Sequence, residues 1–179
     1  MKRYNSFTLI FILQTIFLII SIAASQSLPK DTSGLIEQIC STAPYDYEHC
    51  IWVLSQIFRS PSSPHDIWGF NALFVNDMEA KAKEALAKIN VLQRAGIGPK
   101  IGLDSCYKNY NTILLADIPK VREALKKKDT KIYKDPINDA FNKVKKCETD
   151  YPKHLSTNNK RMYESIGYVD HTFNLIITG

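Results

Sequence analysis

Apolar residues recur at alternating spacings of three and four through four long stretches of this chain. That period fits one face of an α-helix, and no segment sustains the alternation of a half-buried strand. The first stripe is Phe74, Met78, Ala82, Ala85, Ile89 and Leu92. It is expected to start near Ser63-Pro64, a cap followed by a proline, and to end before Gly96-Ile97-Gly98-Pro99. The second runs Leu103, Cys106, Tyr110 and Ile113 and resumes at Val121 and Leu125. Pro119 lies between, and a proline inside a helix predicts a kink or short break near Asp117. The third carries Tyr133, Ile137, Ala140, Val144, Cys147 and Tyr151, with Pro136 close to its start and Pro152 at its close. The fourth carries Met162, Ile166, Val169, Phe173 and Ile176, with Ser156 or Thr157 as its expected cap. Four such helices with short connections define an all-α, antiparallel four-helix bundle. It spans about 64–178, behind an αα-hairpin of about 32–60.

The first residues read differently. Lys2 and Arg3 precede an apolar run from Phe7 to Ile22, and Ala23-Ala24-Ser25 offers small residues for cleavage. This is the pattern of a secretory signal peptide over 1–25, leaving a mature domain of 26–179. The run is shorter than the roughly 20 apolar residues a spanning helix needs, so a membrane anchor is the weaker reading. Losing Lys2 and Arg3 takes the net charge from +5 to +3. So mild a basic balance gives little reason to expect an anionic polymer as partner.

An oxidising compartment changes how Cys40, Cys50, Cys106 and Cys147 read. An even count in a secreted chain points to two disulfides, and the count alone allows three pairings. Cys106 and Cys147 both fall on apolar stripes and would meet in one core, whereas Cys40 and Cys50 flank the turn-rich Ser41-Thr42-Ala43-Pro44. Stripe position therefore favours 40–50 and 106–147. No two cysteines have the close spacing of a zinc knuckle.

Chemistry for turnover is missing from the pattern. His49, His65, His154 and His171 are scattered, and no two of them stand at metal-binding helical spacing. Ser105 stands beside Cys106 without a triad signature, and no glycine-rich loop is built for phosphate. Glu148 and Asp150 fall on different faces of a helix. No catalytic residue, metal ligand or cofactor is assigned. Lys126-Lys127-Lys128 reads as a solvated helix end rather than a nucleic-acid patch, because the chain is read as secreted. Tyr45, Tyr47, Trp52 and Trp68 are candidates either for an exposed surface or for packing the hairpin onto the bundle. A ligand-carrying or antimicrobial bundle would need a hollow core or a strongly cationic surface, and the large stripe residues and the charge of +3 support neither.

Several short elements resemble the plant invertase and pectin methylesterase inhibitor family. They are Ile39-Cys40-Ser41-Thr42 with Pro44, Tyr45 and Cys50; Leu103-Asp104-Ser105-Cys106 with Tyr110; Cys147-Glu148 with Tyr151; and Leu155-Ser156-Thr157 with Asn159. The resemblance implies a four-helix bundle with an N-terminal hairpin, bridged first-to-second and third-to-fourth cysteine. It also implies a secreted protein of the cell wall, or of the vacuole, that inhibits an enzyme and is not one. The expected partner is an acid invertase, with pectin methylesterase as the alternative, engaged by a monomer in a 1:1 complex.

Ile118-Pro119-Lys120-Val121-Arg122-Glu123-Ala124-Leu125 resembles the cell-wall invertase inhibitors in particular. Those proteins carry a Pro-Lys-Phe element before the third long helix that enters the target's active site. Here the position reads Thr130-Lys131-Ile132, which keeps the lysine and replaces the proline and the aromatic. Thr130, Lys131 and Ile132 are accordingly the expected target-binding residues.

Overall fold

The computed structural model describes residues 30–43, 46–57, 64 and 66–178. The signal peptide expected over 1–25, together with Pro44, Tyr45, Ser63 and His65, lies outside the described residues.

All regular structure among the described residues is helical. Helices α1 (Lys30–Thr42) and α2 (Tyr47–Ile57) form the hairpin. Then follow α3 (Ile67–Arg94), α4 (Lys100–Thr112), a π-helical turn (Ile113–Asp117), α5 (Ile118–Lys127), α6 (Lys134–Asp150) and α7 (Pro152–Thr178). Helix α3 packs on α7 and on α4–α5, while α6 packs on α7 and α4, which closes the bundle into a four-membered ring. Tyr151 Oη donates to Ile97 O at 3.2 Å, so the α3–α4 and α6–α7 connections share one end. Tyr133 stacks on Phe173 with ring centroids 4.0 Å apart, which brings the α5–α6 connection to the other end, beside the close of α7. Neighbours in the chain therefore run antiparallel.

The stripes form the core. Every stripe residue named above is buried except Leu125 and Ile176, which are partly so. Helix ends are set by local chemistry. Asp66, not Ser63-Pro64, caps α3: its backbone is extended and its Oδ1 accepts from Gly69 N at 2.8 Å. At the other end Gly96 takes a left-handed φ of 64°, and Ile97 N donates back to Leu92 O at 3.0 Å.

One further expectation needs correcting. Helix α7 begins at Pro152 rather than at a Ser156 or Thr157 cap. A proline at the first helical position loses only an N–H that would be orphaned anyway, and the early start buries Leu155 and Asn159 in front of the stripe. Before Pro119 the α geometry is interrupted near Asp117, as its position led us to expect. The turn before it widens to π geometry, with Ile118 N donating to Ile113 O, and the buried stripe steps five residues from Ile113 to Ile118.

Both disulfides pair as the stripes favoured, Cys40–Cys50 and Cys106–Cys147. The second joins α4 to α6 with Cα atoms 4.6 Å apart. That closeness needs Gly102, one turn earlier, where a Cβ would lie 2.6 Å from the carbonyl oxygen of Asp150. Across the same seam Ser105 Oγ donates to Asp150 Oδ2 at 2.5 Å.

The hairpin is a lighter attachment. Ile36, Ile39 and Leu54 join the core, and His171 on α7 donates through Nε2 to Ile39 O at 3.0 Å. That carbonyl lies in the last turn of α1, where carbonyls lack helical partners. Of the four aromatics singled out above, Tyr45 is outside the described residues. Trp52 is 60% exposed, Tyr47 bonds Glu37 across the hairpin, and Trp68 packs edge-on against Phe173.

Candidate target-binding loop

Thr130, Lys131 and Ile132 lie together in the connection between α5 and α6, at the end of the bundle that also holds the start of α3 and the close of α7. The connection is short because its exit from α5 is tight. Lys128 adopts the left-handed conformation, with φ 51° and ψ 38°. Lys128 N then donates to Leu125 O at 3.1 Å and Asp129 N to Ala124 O at 2.9 Å, the paired bonds of a Schellman ending. A lysine rather than glycine at this position costs about 1 kcal/mol.

Asp129 Oδ1 accepts from the backbone N–H of Lys131, two residues on, at 2.8 Å, an Asx turn that reverses the chain. Tyr133 closes the loop. Its ring is buried against Phe173, and its hydroxyl donates to Asn174 Oδ1 at 2.9 Å. Lys134 Nζ pairs with Asp170 at 2.8 Å, and the Lys128 ammonium lies 5.9 Å from the centroid of Trp68. Both flanks are thus held by α3 and α7 while the tip is free of the core. Thr130 is half-buried, Lys131 is exposed and Ile132 is 41% exposed.

Lysines outnumber acids around the loop. Lys127 is tied to Glu123 and Lys134 to Asp170, and each carboxylate holds its ammonium above the usual lysine range. Lys131 makes no ion pair among the described residues. The loop offers one cationic side chain and one apolar side chain on a braced backbone, an arrangement that suits an anionic cleft.

The structure brings the three expected residues together. The residues that brace them, Lys128, Asp129, Trp68, Asp170, Phe173 and Asn174, were not assigned from the sequence. Only Asp129 carried a local signal, a turn-forming aspartate two residues before the lysine. The remaining side-chain contacts join residues 36 or more positions apart. Among the described residues no group of three or more His, Cys, Asp or Glu could hold a metal ion, and no helix is long and apolar enough to cross a membrane.

Fold and site together define a disulfide-locked helical scaffold that presents a rigid loop. Comparison with known proteins narrows that class. No family model matches the chain. It is 30% identical over 115 residues to the cell wall / vacuolar inhibitor of fructosidase 1 of Arabidopsis thaliana, a match covering 64% of this chain. The chain spans 55% of that protein's length. Among solved structures it is similar to a mutant form of a pectin methylesterase inhibitor from Arabidopsis, with a TM-score of 0.67 and 17% identity, over 78% of this chain and 95% of that one. A second pectin methylesterase inhibitor, from Arabidopsis thaliana, gives a TM-score of 0.57 and 18% identity, over 80% and 96%. The chain therefore has the fold of the pectin methylesterase inhibitors and shares sequence with an inhibitor of fructosidase. These are the two kinds of protein that its cysteine order and motifs resemble.

Proposed function

We propose that the chain is a secreted inhibitor of an acid invertase, acting as a monomer that occludes the target's active site in a 1:1 complex. The observation that carries this reading is Lys131, held at the tip of a loop braced on both sides, in a chain similar to an inhibitor of fructosidase. Invertase is a glycoside hydrolase, and such enzymes work through a pair of carboxyl groups. An ammonium reaching that pair makes charge-assisted hydrogen bonds, and a preformed loop loses little entropy in doing so. Thr130 and Ile132 flank the lysine at the rim of the cleft. The compartment consistent with this role is the cell wall, with the vacuole as the alternative.

The pectin methylesterase reading has one observation in its favour, the fold shared with two such inhibitors. It would use outward faces of the bundle rather than the loop. One experiment separates the two: inhibition of purified acid invertase and pectin methylesterase, side by side, by the oxidised protein from Gln26 and its Lys131→Ala variant. Invertase inhibition that weakens at least about tenfold in the variant supports the loop, tenfold being about 1.4 kcal/mol. Methylesterase inhibition indifferent to Lys131→Ala moves the site to the bundle faces. Inactivity against both enzymes would remove the inhibitor reading and leave the fold.

A further inference from the structure

We infer that Asp129 is the positioning residue of the inhibitory loop, acting through the backbone of Lys131 and not through its own charge. The inference rests on the invertase reading above. Asp129 is the first residue beyond the left-handed exit from α5, and its backbone N–H is committed to Ala124 O at 2.9 Å. That bond holds the backbone of Asp129 in place, and Oδ1 takes the Lys131 N–H at 2.8 Å. On the far side, Tyr133 is pinned by Phe173 and Asn174. Between these two anchors only Thr130, Lys131 and Ile132 remain, and the hydrogen bond from Lys131 to Asp129 is what ties that span to an anchor. Without it the tip keeps its anchors and loses its shape.

Electrostatics alone argue the opposite. An aspartate two residues from a lysine that must approach two carboxyl groups repels the target. On charge alone its removal would strengthen inhibition. Geometry and charge therefore predict opposite signs, and the asparagine variant separates them. Asp129→Asn keeps an Oδ1 acceptor in the same place and sheds the charge, whereas Asp129→Ala sheds both.

The test compares Asp129→Ala, Asp129→Asn and Lys131→Ala in two readouts: the inhibition constant against acid invertase, and amide hydrogen exchange at Lys131 in the free inhibitor. A net hydrogen bond of about 1 kcal/mol corresponds to roughly fivefold. Asp129→Ala is expected to raise the inhibition constant and the Lys131 exchange rate by about that factor, with the melting temperature lowered by no more than about 2–4 °C. Asp129→Asn is expected to match or improve on the parent in inhibition and to retain the slow exchange. Equal behaviour of the two Asp129 variants would overturn the positioning role, as would tighter inhibition by Asp129→Ala; Lys131→Ala losing inhibition in the same series would leave the invertase reading intact. If Lys131→Ala also inhibits normally, both readings fall, because Asp129 has nothing left to position.

Discussion

The carboxylate of Asp117 sits in the π-helical turn, 1% exposed, with its two oxygens 2.8 and 3.0 Å from Lys143 Nζ on α6. The turn that accommodates Pro119 is thus also what carries an acid into the core. Burial pushes the carboxyl above the usual aspartate range, and the Lys143 ammonium offsets only part of that.

A carboxyl that is harder to ionise folded than unfolded has a definite pH signature. Its folded-state pKa is raised, so its contribution favours the fold below the unfolded value and is lost as pH rises through the folded one. Asp117→Asn keeps the shape and never ionises. Its melting temperature is expected to gain on the parent between about pH 3 and pH 6, with the smallest advantage at the acid end. Calorimetry at both pH values checks this. A variant that loses ground as pH rises would mean that the Lys143 pair outweighs burial.

Gly102 and Asp150 set the closest approach of α4 and α6. Alanine at this position would put a methyl carbon 2.6 Å from a backbone oxygen, in a seam that the Cys106–Cys147 bridge holds closed. Backbone cannot step aside as a flexible side chain can, so Gly102→Ala should cost about 1–3 kcal/mol. Urea unfolding measures it; a loss below about 0.5 kcal/mol, ordinary for a surface change, would show that the helices part freely.

How much of this was legible in the sequence follows from how local each cause is. The stripes are local and periodic, so the four long helices, their core residues and the pairing of cysteines on those stripes could all be read. The starts of α3 and α7 were misread because Ser63, Pro64, Ser156 and Thr157 all suit a helix start. The actual starters, Asp66 and Pro152, succeed because Phe70 and Leu155 then reach the core. The outcome at Pro119 depended on whether neighbouring helices could accept a five-residue step, which composition does not encode. In the loop, Thr130-Lys131-Ile132 was singled out by resemblance, while its bracing by Trp68, Asp170, Phe173 and Asn174 exists only once α3 and α7 are in place.

The two disulfides should fail differently. Cys106–Cys147 closes 41 residues across the bundle, and chain-entropy arithmetic gives it about 4 kcal/mol. Cys40–Cys50 closes 10 within the hairpin and gives about 3 kcal/mol, but that stabilisation acts on the hairpin. Replacing Cys106 and Cys147 by serine should lower global stability in urea by about 4 kcal/mol. Replacing Cys40 and Cys50 should leave bundle unfolding within about 1 kcal/mol while exposing Tyr47 and Trp52 to rapid chymotrypsin cleavage. Equal losses from both pairs would show that the hairpin and bundle unfold as one unit.

Tyr110, a stripe residue, and Asn159, singled out only by resemblance, give a physical reason for two motif positions. The Tyr110 hydroxyl donates to Asn159 Oδ1 at 2.7 Å, and both residues are fully buried. Burial holds the phenol far above the ordinary tyrosine range, so it remains a donor at any pH the protein meets. Asn159 Nδ2 has no hydrogen-bond partner among the described residues, which leaves the amide dependent on the Tyr110 bond. Tyr110→Phe would leave the amide buried with neither atom paired, at a cost of about 1–3 kcal/mol. Adding Asn159→Leu, close in volume and without polar atoms, should recover most of that loss, because the penalty lies in the stranded amide rather than in the missing bond. A double-mutant cycle in urea decides the point: losses that simply add would show that the two side chains are not coupled.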